Sequence, residues 1–295
     1  MLNKDNALAQ LTTQLYGEGN LNVLRAKLLH SSSWQQHNLC CYGNELQQAM
    51  WLEHISDFGL GNVDVANCVS NGHHTVVHIN AANKANSNPV NMALYFHHND
   101  EYIKTVECIV DSHSYQHAIE ADCSQFIDKL PTPDPIIASQ IDQQLHPKTS
   151  HMTPANLVDG NCPHIDALNN WWSMWVDKQL SLASDIYADE ARVELSHSYL
   201  DNDSDDIKSY IIKLTKTLKR SYFQLEDIIV DAKSSDKVAI KWFVDGDITS
   251  NGTNTRVSVP VLTILTFAQG QISHESMLVD WHATAKQFGL KQAII

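Results

Sequence analysis

Apolar residues in the second half of the chain recur first at helical and then at strand spacing. Ile165, Leu168, Trp172, Trp175 and Leu182 fall on one helical face, which predicts an amphipathic helix over 165–183. The run ARVELSH (191–197) predicts a short strand, and Asp203 is placed to cap a helix with Ile207, Tyr210, Ile211, Leu214 and Leu218 on one side. Asp205 and Asp206 in its first turn suit the helix dipole. Four strand-like runs follow, at 223–231, 237–248, 256–267 and 271–282, separated by SSD, SNGTN and AQGQ. Pro260 lies inside the third run and predicts an edge or a bulge there. The order is helix, short strand, helix, then a four-strand meander.

The first half repeats that order. Leu8, Leu11 and Leu15 predict an opening helix capped near Asp5, LLHSSSW (28–34) a short strand, and YGNELQQAMWLEH (42–54) a second helix with Asn44 as cap. Strands are expected at 62–70, 73–82, 90–98 and 101–113, with an Asn71-Gly72 turn between the first two. Aligning TVVHINA with VAIKWFV keeps the apolar alternation in phase. Asn71-Gly72 then falls opposite Ser235-Asp236, and NKANSNP opposite TSNGTNT. So many ordered correspondences predict a tandem duplication with domains at 1–122 and 164–295. The intervening 123–163 reads as a linker that packs across one domain. Its PTPDP and LHPKTSHMTP runs forbid continuous helix, leaving room for a short one at 136–145.

Alternation also sorts faces. Val238, Ile240, Trp242 and Val244 oppose Ala239, Lys241 and Phe243, while Thr75, Val77, Ile79 and Ala81 oppose His74, Val76, His78 and Asn80. The apolar sets are expected to face a pocket and the mixed sets an outer, partner-facing side.

Both halves end their last strand on a near-copied motif, VDSH (110–113) and VDWH (279–282). If the strands run through them, Asp111 and His113, and likewise Asp280 and His282, share a sheet face as acid–base pairs. Burial would raise such a carboxyl toward a useful pKa. The other reading has each Asp capping a following helical turn with its His solvated. His197, at the end of the short strand, is either a second acid or a surface histidine. Trp172, Trp175, Tyr187 and Trp242 either stack on a ligand or fill the core.

Composition narrows the classes. The chain has 295 residues, 43% hydrophobic and 18% charged, enough for two ordinary cores. A net charge of −14 gives no long-range attraction for nucleic acid or anionic membrane. MLNKDNALAQL lacks a signal peptide's apolar core, and no run is long enough to span a bilayer. The six cysteines include no Cys-x-x-Cys, so reduced thiols and a cytoplasmic location are expected. His73-His74 and His97-His98 point to opposite strand faces and chelate nothing together. The nearest convergent set is His74, His78 and a carboxylate, and no metal or cofactor is expected. No Gly-rich phosphate loop or nucleophile elbow is present.

Three stretches, YGNELQQAMW, SSDKVAIKWFVDG and FAQGQISHESMLVDWHATAKQFGL, resemble the nuclear-transport-factor-2-like superfamily, and the last its SnoaL-like branch, which ends in a Gln-Leu-Gly-like tail, here Gln287-Phe288-Gly289. The resemblance covers 159–290 well and 6–120 loosely; the first copy lacks the tail after His113. It implies an α+β fold of two cone-shaped domains, each with N-terminal helices packed in a curved antiparallel sheet around an apolar pocket. Such domains pair through the sheet's outer face, which implies an intrachain pseudo-dimer and leaves further homo-oligomerisation open. It implies a cofactor-free cyclase, isomerase or dehydratase acting on a small hydrophobic carbonyl compound, with Asp280 as base. The alternative is a ligand-binding or scaffold protein that kept the cone without the chemistry.

Overall fold

The computed structural model describes residues 4–36, 39–43, 60–83, 88–99, 101–130, 152–158, 162–196, 198–202, 204–250 and 253–291. The chain is mixed α+β, built on two six-stranded sheets. The first contains β1 (Leu28–Gln36), β2 (Leu39–Tyr42), β3 (Leu60–Ser70), β4 (His74–Asn83), β5 (Pro89–His98) and β6 (Ile103–Val110). The second contains β7 (Tyr187–Leu195), β8 (Ser198–Asn202), β9 (Lys219–Val230), β10 (Lys237–Ser250), β11 (Thr253–Ala268) and β12 (Gln271–Val279). Their spatial orders are the same: β2-β1-β6-β5-β4-β3 and β8-β7-β12-β11-β10-β9.

Neither sheet is wholly antiparallel. β1 pairs parallel with β6, and β7 parallel with β12. A four-strand meander reverses direction three times, and the strand that precedes it returns beside the meander's last strand in the same sense. The expected short strands each gain a hairpin partner, β2 and β8. Pro260 pairs with Phe243 on β10, one residue beyond the last β11–β12 pair, Val261–Val279. There β11 has a neighbour on one side only, so the missing N–H costs no ladder bond.

The helices are α1 (Lys4–Glu18), α2 (Leu21–Arg25), α3 (Ser112–Ala118), α4 (Cys123–Lys129), α5 (Pro154–Leu157), α6 (Ile165–Val176), α7 (Ala183–Ile186), α8 (Ser204–Thr217) and α9 (Trp281–Gln287). The helix expected over 165–183 stops at Val176, because Lys178 turns left-handed at φ 60°. Its ammonium bonds the Trp175 carbonyl, meeting one of the acceptors a helix end leaves open. The second helix expected at 42–54, its Asn44 cap, the 136–145 helix and the Asp203 cap lie outside the described residues, except that Tyr42 ends β2.

The faces sort as the alternation predicts. Val77, Ile79 and Ala81 join Leu11, Leu15 and Phe96 in one core, and Val238, Ile240, Trp242 and Val244 join α6 and α8 in another. A third apolar cluster joins the two sheets by their outer faces: Val69, Val76, Ala93, Tyr95 and Ile109 against Ile229, Ala239, Leu262, Ile264 and Leu278. Polar contacts complete this layer. Lys241 bonds Glu107 of the other sheet at 2.6 Å and Glu226 of its own at 3.0 Å; Tyr95 donates to Asp227, and Lys237 reaches Asn67 at 3.0 Å. The segment expected as a linker contributes α4, whose Phe126 enters the first core and Ile127 the second. None of the six cysteines forms a disulfide, and no described helix is long and apolar enough to cross a membrane.

Two predictions follow from packing. Lys241 is only 5% exposed, so Lys241→Ala strands two carboxylates in the layer and should cost about 3 kcal/mol in a denaturant titration. Converting Glu107 and Glu226 to Gln alongside Lys241→Met should recover most of it. A Cβ on Gly246 would stand 2.6 Å from Leu218 Cβ, so Gly246→Ala should cost about 1–3 kcal/mol in the same measurement.

Candidate functional site

The strands end one residue short of both Asp–His motifs. Asp111 and Asp280 are N-caps. Asp111 Oδ1 accepts from the His113 and Ser114 amides at 3.1 and 3.4 Å, and Asp280 Oδ1 from the Ala283 amide at 3.0 Å. A short acceptor side chain at a strand–helix junction meets the first free amides of the helix, and this competes with continuing the strand. The expectation that each pair shares a strand face is therefore corrected: His113 and His282 occupy first helical turns. His282 is also not solvated but fully buried.

The two motifs instead meet each other. α3 and α9 lie against one another across the junction of the halves. Ser112 Oγ accepts from the His282 amide at 3.1 Å and lies 3.0 Å from its Nδ1. The His113 and His282 rings are 4.6 Å apart, and Phe126 lies edge-on to His282 at 5.1 Å. Burial, with His113 beside it, pushes His282 down to about 4 against the opposing pull of Asp280. Burial likewise raises the Asp111 carboxyl well above its usual range, against the amide bonds from Ser114 and His113. These groups tie the halves together.

His197 lies outside the described residues. His97 and His98 divide as expected: the His97 ring lies 4.8 Å from that of His74, whose Nδ1 meets Asp227 at 3.0 Å on the outer face, while His98 Nε2 meets Thr75 Oγ1 at 2.9 Å; His73 precedes β4 and is not a strand residue. Among the described residues, no three His, Cys, Asp or Glu side chains group as a metal site.

Trp172, Trp175, Tyr187 and Trp242 are all buried inside the second sheet's curve. Trp175 and Trp242 lie 4.8 Å apart, Trp171 stands perpendicular to Trp242 at 5.9 Å, and Trp242 donates to Thr263 at 3.0 Å. Into this aromatic interior projects one carboxyl, Glu275 of β12, with no exposed surface. Its Oε2 accepts from the Tyr187 hydroxyl and, at 3.4 Å, from Trp171 Nε1. Among the described residues Oε1 has no partner. Burial lifts Glu275 to about 7, against the bonds from Tyr187 and Trp171 and the pull of His274. A carboxyl poised near neutrality can both take and return a proton.

Glu275 escaped the sequence reading because of a bulge. β12 pairs Thr266 with His274 but Phe267 with Ile272, leaving Ser273 extra. Ile272 and Glu275, three apart, therefore both face inward, and simple alternation fails. Counting back from Val279 and Met277 would have found it. The equivalent position in the first half is apolar: Val106 pairs with Phe96 as Glu275 pairs with Leu265, each four residues before the strand's final Val.

No family model matches the chain. No curated protein matches it. Among solved structures it is similar to a protein from Bacillus cereus whose name assigns it as a polyketide cyclase (18% identity, 43% of this chain and 80% of that one, TM-score 0.37). Others are a SnoaL-like protein from Jannaschia sp. (13%, 42% and 92%, 0.34) and IdmH from Streptomyces antibioticus (15%, 43% and 99%, 0.37), both assigned in the same way.

The buried histidine carries a pH consequence. His282 falls from an ordinary 6.5 to about 4 in the fold, so the unfolded chain binds the proton first. Its contribution to stability is complete above about pH 6.5 and is lost as pH falls toward 4. His282→Asn should flatten this slope by up to about 3 kcal/mol, read from urea midpoints at pH 7 and pH 4.5.

Proposed function

We propose that the chain is a tandem pair of SnoaL-like domains whose second cone moves a proton on a small hydrophobic carbonyl compound without a cofactor, as cyclases, isomerases and dehydratases of this type do. The single observation that carries this reading is Glu275: a fully buried carboxyl, held near pKa 7, with one oxygen fixed by Tyr187 and Trp171 and the other unclaimed. In this role the free oxygen removes a proton from the carbon beside the carbonyl and returns it to another atom of the same substrate, so nothing is oxidised or reduced. Trp172, Trp175 and Trp242 supply the flat apolar walls, and Asp280 and His282 hold α9 against the opposite half. The reading places chemistry in the second copy alone, since the first has Val106 where the second has Glu275.

The rival is a scaffold, favoured by the contact between the fully buried Trp175 and Trp242, which closes the same space. A panel of polycyclic ketones in deuterated buffer separates them. The enzyme should incorporate deuterium beside the carbonyl and show quenched tryptophan fluorescence, and Glu275→Gln should slow exchange about 100-fold or more while leaving quenching intact. No quenching and no exchange with any ketone establishes the scaffold.

Stability gives a second check. Glu275 rises from 4.5 to about 7 on folding, so the folded chain holds this proton to higher pH than the unfolded one. Stability should fall as pH rises between those values and level off above them. Glu275→Gln should therefore stabilise the protein at pH 8 by up to about 3 kcal/mol and have little effect at pH 4.

A further inference from the structure

The layer between the sheets is not symmetric, although its backbone is. His78 on β4 pairs with Ala93, the residue after Met92, which pairs with the final Val110 of β6. Lys241 on β10 pairs with Leu262, the residue after Val261, which pairs with the final Val279 of β12. His78 and Lys241 are thus register equivalents, each facing the other sheet. On the Lys241 side the long side chain crosses the layer to Glu107 and closes it. On the His78 side the shorter imidazole leaves a cavity of about 240 Å³ between the sheets.

That cavity is built for hydrogen bonding. His78, Asn91 and Asp111 line it from one half, and Arg192, Glu194 and Ser276 from the other. His78 is 2% exposed, and among the described residues neither of its ring nitrogens has a partner. A buried imidazole left this way costs free energy that a ligand would recover. The charges around it are already matched. Glu194 takes Ser276 Oγ at 2.8 Å, Arg192 at 3.1 Å and His274 at 3.5 Å, and Asp111 Oδ1 serves its helix cap. Burial favours the neutral form of the Asp111 carboxyl, and Arg192 and Glu194 already face each other, so the cavity favours a neutral ligand over a charged one. What remains is one donor and one acceptor on the same ring, which suits hydroxyls that do both. The volume is below the roughly 300–1,000 Å³ of drug-sized pockets, so the occupant is small.

We propose that this cavity binds a small neutral ring polyol, a cyclitol or a monosaccharide, hydrogen-bonded to both nitrogens of His78. The site is independent of Glu275 and stands whether or not the second cone is catalytic. The test is a titration of the imidazole-¹⁵N-labelled full chain with myo-inositol and with D-glucose, against acetate and methylammonium. The expected result is a saturable shift of both His78 nitrogens with at least one polyol and no saturable shift with either ion. His78→Leu should fold, melt at the same or a higher temperature, and bind that polyol at least tenfold more weakly by calorimetry. No saturable His78 shift with either polyol, a response to the ions only, or unchanged affinity in His78→Leu would each overturn the proposal. Should His78→Leu fail to fold, the titration of the unmodified chain decides alone.

Discussion

Each sheet curls around its own helices and so must cover an outer face that is only half polar. The two faces cover each other. Val76, Ala93 and Ile109 would be exposed on an isolated first half, and Ala239, Leu262, Ile264 and Leu278 on an isolated second. Contiguous apolar patches of that kind are poorly tolerated by single soluble domains. Much else follows from this contact. It buries Lys241 and so requires Glu107 and Glu226 beside it; it brings the two strand ends together; and it sets α3 and α9 in contact, so that Ser112 and His282 can share a hydrogen bond.

The same contact makes departures from symmetry informative. Backbone register is repeated almost residue for residue, so paired positions face nearly the same surroundings. Where one half has lysine and the other histidine, the layer is closed on one side and hollow on the other. Where one half has valine and the other glutamate, one interior is wholly apolar at that point and the other carries an ionisable group.

Much of the fold was legible in the chain. Strand alternation in VAIKWFV and TVVHINA assigned inner and outer faces correctly, because a period of two leaves little freedom once one face is apolar. Strand order in the meanders followed from short turns. Less legible were features set by local competition. Asp111 and Asp280 look like strand residues by apolar context, but their side chains capture the first amides of a helix and end the strand. Ser273 shifts the phase of β12, which hid Glu275. Lys178 ends α6 early with a left-handed residue that pattern alone does not foresee. The meeting of the two Asp–His motifs needed the sheet contact, which links residues 170 positions apart.

Glu275 also bears on why a group that destabilises the fold is kept. Fold requirements do not explain it, since Val106 occupies the matched position in the first half and is fully buried. Tyr187 and Trp171 do not explain it either, because two donors satisfy one oxygen and leave the other bare in an aromatic interior. A half-satisfied polar network is worse for stability than an apolar core. Proteins depart from local packing rules chiefly where function requires it. The carboxyl inside the second sheet departs from those packing rules, and the first half, with the same strand order, shows the backbone packing without it.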